Sequence, residues 1–205
     1  MEAEQNPIRT PGAVPAKRRT ITGITLVALF GALTAAGTFI SIPLPFSPVP
    51  IVLQNLFALL AGLILGPALG AAAVGLYLIA GTIGAPVFAG ATGGIARLIG
   101  PTGGFLFGYL LAAFTAGLIA GRPRPDVKTP LWRIIIAAAA GLLIVYVPGV
   151  IRLKFALDAG WGKALGAGFF PFIIGDAIKA VIAVIIAPRL RRAAADQLGQ
   201  AKQLG

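Results

Sequence analysis

ITGITLVALFGALTAAGTFI (residues 21–40), SIPLPFSPVP (41–50) and IVLQNLFALLAGLILGP (51–67) follow one another without a charged residue. The uncharged run spans positions 20–96, between Arg19 and Arg97, which is 77 residues. One helical crossing of a bilayer takes ~20 apolar residues, so this run requires several crossings. The whole chain points the same way. It has 205 residues, 58% of them hydrophobic and 11% charged, with a mean hydropathy of +0.93, against about 25% charged in a soluble domain. A chain of this length cannot hide so much apolar surface in one water-soluble core, so its solvent is a lipid bilayer.

Punctuation divides the chain into six apolar segments. The first is 21–40, ended by four prolines within 41–50, which make a stiff extended loop rather than a helix. The second is 51–65, and Gly66-Pro67 turns the chain into the third, 68–83. A Gly-rich stretch, 84–104, carries Arg97. The fourth segment is 105–121, the fifth 131–150 and the sixth 169–190, with a mixed, partly amphipathic connection at 152–168. The second and third are short for a crossing, which tilt or a thin slab accommodates. The expected fold class is therefore all-α: a six-helix membrane domain (21–190) between a basic N-terminal tail (1–20) and a basic C-terminal tail (191–205). The polar N-terminal tail does not read as a cleavable signal peptide.

The net charge of +11 raises the question of nucleic acid, but the cations sit in short clusters between apolar runs. Arg9, Lys17, Arg18, Arg19, Arg122, Arg124, Lys128, Arg133, Arg189, Arg191, Arg192 and Lys202 fall on one side; Arg97, Arg152, Lys154 and Lys163 fall on the other. This is a positive-inside bias, which places both termini in the cytoplasm of a multi-pass protein. No nucleic-acid partner is expected. Without cysteine or histidine, disulfides, thiolate or imidazole metal sites and Cys/His nucleophiles are excluded; no metal and no cofactor are expected. The glycine clusters at 90–94 and 100–104 fit neither phosphate-loop pattern, so the chain reads as a non-enzyme, and any ATPase would belong to another subunit.

Asp176 and Lys179 are the sharpest signal. Each charge inside a span costs about 2.5–3.5 kcal/mol on insertion scales, and at i, i+3 the two face one cavity. Asp176 lies roughly 10 Å along the sixth helix from its outer end at 1.5 Å per residue, beneath the proline loop and the loop carrying Arg97. The alternative is a self-neutralised pair that pins the helix to a neighbour. With Arg97 the set sums to +1, which suits a small monoanion; Arg97 could otherwise snorkel to headgroups. In the first helix, Ala28, Ala32 and Ala36 form a small-residue stripe, suited to close packing inside the subunit or, alternatively, to docking a membrane partner.

Pro48-Val-Pro-Ile-Val-Leu-Gln54-Asn, Leu60-Ala-Gly-Leu-Ile-Leu-Gly-Pro67, Gly84-Ala-Pro-Val-Phe-Ala-Gly90, Gly100-Pro-Thr-Gly-Gly-Phe105 and Gly175-Asp-Ala-Ile-Lys179 occur in this order. Together they resemble the BioY family, the biotin-binding S components of energy-coupling-factor (ECF) transporters. The resemblance covers about 21–190. It departs at Phe105, where Tyr is expected, and at Asn55, where Thr is common. It implies a six-helix subunit of the bacterial cytoplasmic membrane that captures biotin from outside. Its partners would be a transmembrane coupling protein, met through the stripe of Ala28, Ala32 and Ala36, and a pair of ABC-type ATPases. It also implies a biotin site built on Asp176, Lys179 and Arg97. To these the chemistry of biotin, with its carboxylate, ureido N–H donors and apolar thiophane, adds Gln54 as an amide contact and Phe46, Phe88 and Tyr77 as apolar walls, with the two loops as lids. The competing readings are a self-sufficient secondary carrier, disfavoured by the lack of inverted repeats, and an S component for a different vitamin.

Overall fold

The computed structural model describes residues 16–125 and 127–198; most of the two tails lies outside the described residues. Its elements are α1 (Ala16–Ala36), β1 (Ser41–Leu44), β2 (Ser47–Val52), α2 (Gln54–Leu65), α3 (Pro67–Thr82), α4 (Ile95–Ile99), α5 (Gly103–Ala120), α6 (Leu131–Ala156), α7 (Trp161–Gly168), a 3₁₀ turn (Phe170–Phe172) and α8 (Ile173–Gln197). Three stretches, α5, α6 and Trp161–Gln197, are long and apolar enough to cross a membrane, and α1, α2 and α3 supply shorter apolar helices.

Several boundaries differ from the sequence expectation, for identifiable reasons. The proline-rich loop is a β-hairpin, pairing Ser41 with Val52, Ile42 with Ile51 and Leu44 with Ser47. A two-stranded sheet leaves one edge of each strand unpaired, and there proline's missing N–H is tolerated. The fold is thus mostly helical rather than purely so. Helix α6 runs on through Pro148 to Ala156, the connection after it holds α7, and α8 continues to Gln197, past the expected end at residue 190. The Gly66-Pro67 turn behaves as expected. Gly66, at φ 83° and ψ −178°, ends α2 and Pro67 opens α3, a positive-φ glycine followed by an N-terminal proline.

Helix α8 shows why lipid is the solvent. Asp176, Lys179, Ala183, Ala187 and Arg191 are buried, while Ile174, Ile178, Val181 and Ile185 are exposed. The charges face inward and the isoleucines outward, the inverse of a water-facing helix. The inward face packs against α2 and α6, and the most extensive helix contact of all is α5 with α6. There a β-carbon on Gly108 would sit 2.6 Å from the Val145 carbonyl oxygen, so only glycine permits this approach. Gly23, early in α1, packs beside Leu198 after α8, so both described ends share one pole of the bundle. The hairpin, α4 and α7 occupy the other.

Candidate functional site

The site lies at the hairpin pole and begins with two consecutive residues in the first turn of α2. Gln54 and Asn55 are both buried and point their amides to different sides. Asn55 Nδ2 donates to Asp176 Oδ1 at 2.8 Å, and its Oδ1 accepts from Lys179 Nζ at 2.9 Å. Lys179 Nζ also donates to Asp176 Oδ1 at 2.9 Å and to the Val52 carbonyl at the end of β2 at 2.8 Å. Tyr146 of α6 donates to Asp176 Oδ2 at 2.5 Å. The pair predicted from sequence is therefore real, and 6–7% exposed. An ammonium has three protons, and all three of Lys179's are used. Lys179 ties α8 to α2 and to the hairpin; Asp176 Oδ2 keeps acceptor capacity beyond Tyr146.

Gln54 forms a second polar centre. Its Nε2 faces Tyr77 Oη at 2.8 Å, the Val87 carbonyl at 3.0 Å and the Thr38 hydroxyl. Among the described residues nothing donates to Gln54 Oε1, yet no buried side-chain polar atom lacks a partner. That oxygen therefore opens onto the cleft that Gln54 lines. The same reasoning applies to the Tyr109 hydroxyl, which faces the cleft from α5.

One groove joins these centres. Val49, Pro50 and Val52 of β2 form its roof, and Phe105 and Tyr109 of α5 line it throughout. Its inner end reaches Asn55, Tyr146, Asp176 and Lys179; its other end reaches Gln54, Phe88 and Arg97. Beyond Arg97 it widens into an outer chamber of about 210 Å³ between the hairpin and Gly90. Arg97 is exposed at this junction and makes no side-chain hydrogen bond or ion pair among the described residues. Its short helix α4 is held by Arg152, which donates to the carbonyls of Ile99 and Gly100.

Of the expected residues, Asp176, Lys179, Arg97, Gln54 and Phe88 line the groove. Tyr77 stands behind it, edge-on to Phe88 at 5.6 Å between ring centres and bonded to Gln54. Phe46 is not a wall: it occupies the turn of the hairpin, 63% exposed, and lines neither the groove nor the chamber. Asn55, Tyr109 and Tyr146 were missed as site residues because they are uncharged. Their signal was present as three polar groups inside apolar helices, with Phe105 and Tyr109 one turn apart on a single face. The alanine stripe points away from the subunit core: Ala28, Ala32 and Ala36 are all exposed, while Leu26, Phe30 and Thr34 pack inward. Of the two readings of that stripe, packing inside the subunit does not hold.

Comparison with known proteins places most of the chain beside one family. The model of the BioY family matches residues 10–196. The chain is 45% identical over 168 residues to the probable biotin transporter BioY of Pyrococcus horikoshii, covering 82% of this chain and 95% of that one. It is 43% identical over 164 residues to the biotin transporter BioY of Thermotoga maritima, covering 80% and 92%. Among solved structures, the crystal structure of the S-component for biotin from an ECF-type ABC transporter superposes with a TM-score of 0.78 at 32% identity, covering 87% of this chain and 95% of that one.

Proposed function

This chain belongs to the BioY family, and we propose that it captures biotin in the groove beneath the hairpin and delivers it for ATP-driven uptake. The observation that carries this reading is the groove itself: an apolar channel with an exposed cation at its mouth and a neutralised acid–base pair at its inner end. Biotin has a matching polarity, with a carboxylate at the end of an alkyl chain and a bicyclic head bearing two N–H donors and a carbonyl.

The orientation follows from desolvation. Burying an anion costs far more than burying a neutral urea. Lys179 is already neutralised by Asp176, and its protons are committed. Among the described residues nothing pairs with the Arg97 guanidinium, which lies near solvent. The carboxylate therefore pairs with Arg97 at the mouth, and the ring enters first. Its N–H groups meet Asp176 Oδ2 and Gln54 Oε1, the Tyr109 hydroxyl donates to the ureido oxygen, and Phe105 and Phe88 cover the thiophane. Lys179 orients Asp176 rather than gripping the ligand.

The remaining assignments rest on charge and exposure. Six crossings with both termini in the cytoplasm put the hairpin pole outside, where biotin is found, in a cytoplasmic membrane. The exposed stripe of Ala28, Ala32 and Ala36 lets a transmembrane coupling protein approach closely, and separate ABC-type ATPases supply the energy. No metal or cofactor takes part.

Calorimetric titration of the purified chain with biotin tests the site. Wild type binds with one-to-one stoichiometry, while Asp176→Asn and Lys179→Ala bind more weakly. Unchanged affinity in both variants would sink the assignment, and silence from wild type would sink the function.

A further inference from the structure

The pole opposite the hairpin holds a second, strongly basic concavity that biotin capture does not use. A hollow of about 220 Å³ opens there between the end of α5 and the start of α6, lined by Arg122, Arg124 and Arg133 together with Thr129. An adjoining, narrower hollow shares Arg124 and Thr129 and adds Lys128, Arg191 and Arg192. Two of the six cations have structural work. Arg191 is 4% exposed and donates to the carbonyls of Leu63, Ala120 and Gly121 and to Thr129 Oγ1. It thereby closes the C-terminal ends of α2 and α5, where orphan carbonyls and the negative helix pole favour a cation. Arg133 donates from Nε to the Ile119 carbonyl.

The other four, Arg122, Arg124, Lys128 and Arg192, are exposed, and among the described residues their side chains have no hydrogen-bond or ion-pair partner. Within 122–133 four cations, Arg122, Arg124, Lys128 and Arg133, face one acidic residue in sequence, Asp126, and α8 adds Arg191 and Arg192 to the same hollows. Charge capping of helix ends needs one or two arginines, not six. Position then narrows the ligand. Leu131 and Trp132 at the start of α6 are exposed, and so are Ile135 and Ile136 one turn further along. A tryptophan between a basic loop and a lipid-facing apolar stripe marks the level of the headgroups. Basic hollows between spans at that level bind anionic lipid headgroups, and arginine's fork matches a phosphate's paired oxygens.

We propose that this hollow binds the phosphate of an anionic phospholipid, anchoring the α5–α6 loop against α8 at the membrane surface. Native mass spectrometry of the full chain, released from nanodiscs of phosphatidylcholine doped with phosphatidylglycerol, tests it. Wild type retains phosphatidylglycerol in preference to phosphatidylcholine. The triple variant Arg122→Gln/Arg124→Gln/Lys128→Gln loses that preference by about 100-fold, at roughly a factor of five per basic residue. Its unfolding midpoint stays that of wild type, because none of the three side chains has a hydrogen-bond or ion-pair partner among the described residues. The control Lys154→Gln/Lys163→Gln, at the other pole, retains lipid as wild type does. Equal retention by the triple variant, or equal loss in the control, overturns the proposal. So does full displacement of the lipid by inorganic phosphate, which would make this a free-anion site. No retention by wild type, with the triple variant failing to co-purify with the coupling subunit, overturns it in favour of an acidic protein surface.

Discussion

Removing Asp176 and Lys179 singly and together separates a coupled buried pair from two independent polar residues. Asp176→Ala leaves the Lys179 ammonium buried with two acceptors, Val52 O and Asn55 Oδ1, and strips Asn55 Nδ2 and Tyr146 Oη of theirs. Lys179→Met leaves the Asp176 carboxylate buried without its cation. Breaking a buried pair by removing one partner costs about 3–5 kcal/mol, so the singles sum to roughly 6–10 kcal/mol if they act independently. The double variant Asp176→Ala/Lys179→Met leaves no buried charge. It leaves four neutral groups without these partners, the donors Asn55 Nδ2 and Tyr146 Oη and the acceptors Val52 O and Asn55 Oδ1, at about 1 kcal/mol each, or roughly 4 kcal/mol in total. The expected coupling is therefore about 2–6 kcal/mol. Reversible unfolding in mixed micelles without biotin measures all four proteins. Destabilisations that add to within ~0.5 kcal/mol, the usual result for independent sites, would refute a charge network sealed inside the bundle. The double variant, although about as stable as either single, binds biotin no better than the singles.

Three further outcomes follow from the same contacts. Arg97→Gln weakens biotin binding about 10- to 100-fold, the worth of a charge-assisted hydrogen bond. Because Arg97 is exposed, the loss shrinks as salt rises; titration at two ionic strengths checks both, and a salt-independent loss would move the carboxylate away from the mouth. Arg191→Gln lowers unfolding stability by about 2–4 kcal/mol through unpaired helix-end carbonyls while leaving biotin affinity unchanged, as unfolding and titration of one preparation would reveal. Ala32→Trp leaves biotin affinity intact but abolishes co-purification with the coupling protein; retained co-purification would free the α1 stripe of that role.

The fold was legible where residues break rules of solvent or backbone. Two charges in an apolar helix, Asp176 and Lys179, could be located from sequence because each is costly there without a partner. Gly66-Pro67 marked its turn because each residue suits only its side of it. The rest was hidden for physical reasons. Prolines at 41–50 exclude a helix, but a stiff loop and a hairpin both satisfy them, and only pairing across Ser41 and Val52 decides. Arg191 reads as one more cation of a basic tail, since a charge count carries no information on burial; its role depends on carbonyls contributed by α2 and α5. Asn55, Tyr109 and Tyr146 acquire their roles from residues 30 to 121 positions away or from the shape of the groove. Phe46 is aromatic and close to the loop, which suits a wall, yet the turn of the hairpin carries it away from the groove.

Sulfur offers the most direct test of biotin capture in the groove. The chain has no cysteine and a single methionine, at position 1, while biotin carries one thiophane sulfur. Long-wavelength anomalous diffraction from crystals grown with biotin should show one strong peak between β2 and α5, inward of Arg97 and flanked by Phe105 and Phe88. A groove empty of anomalous signal at saturating biotin, or a biotin-dependent sulfur peak elsewhere that biotin-free crystals lack, would contradict the account.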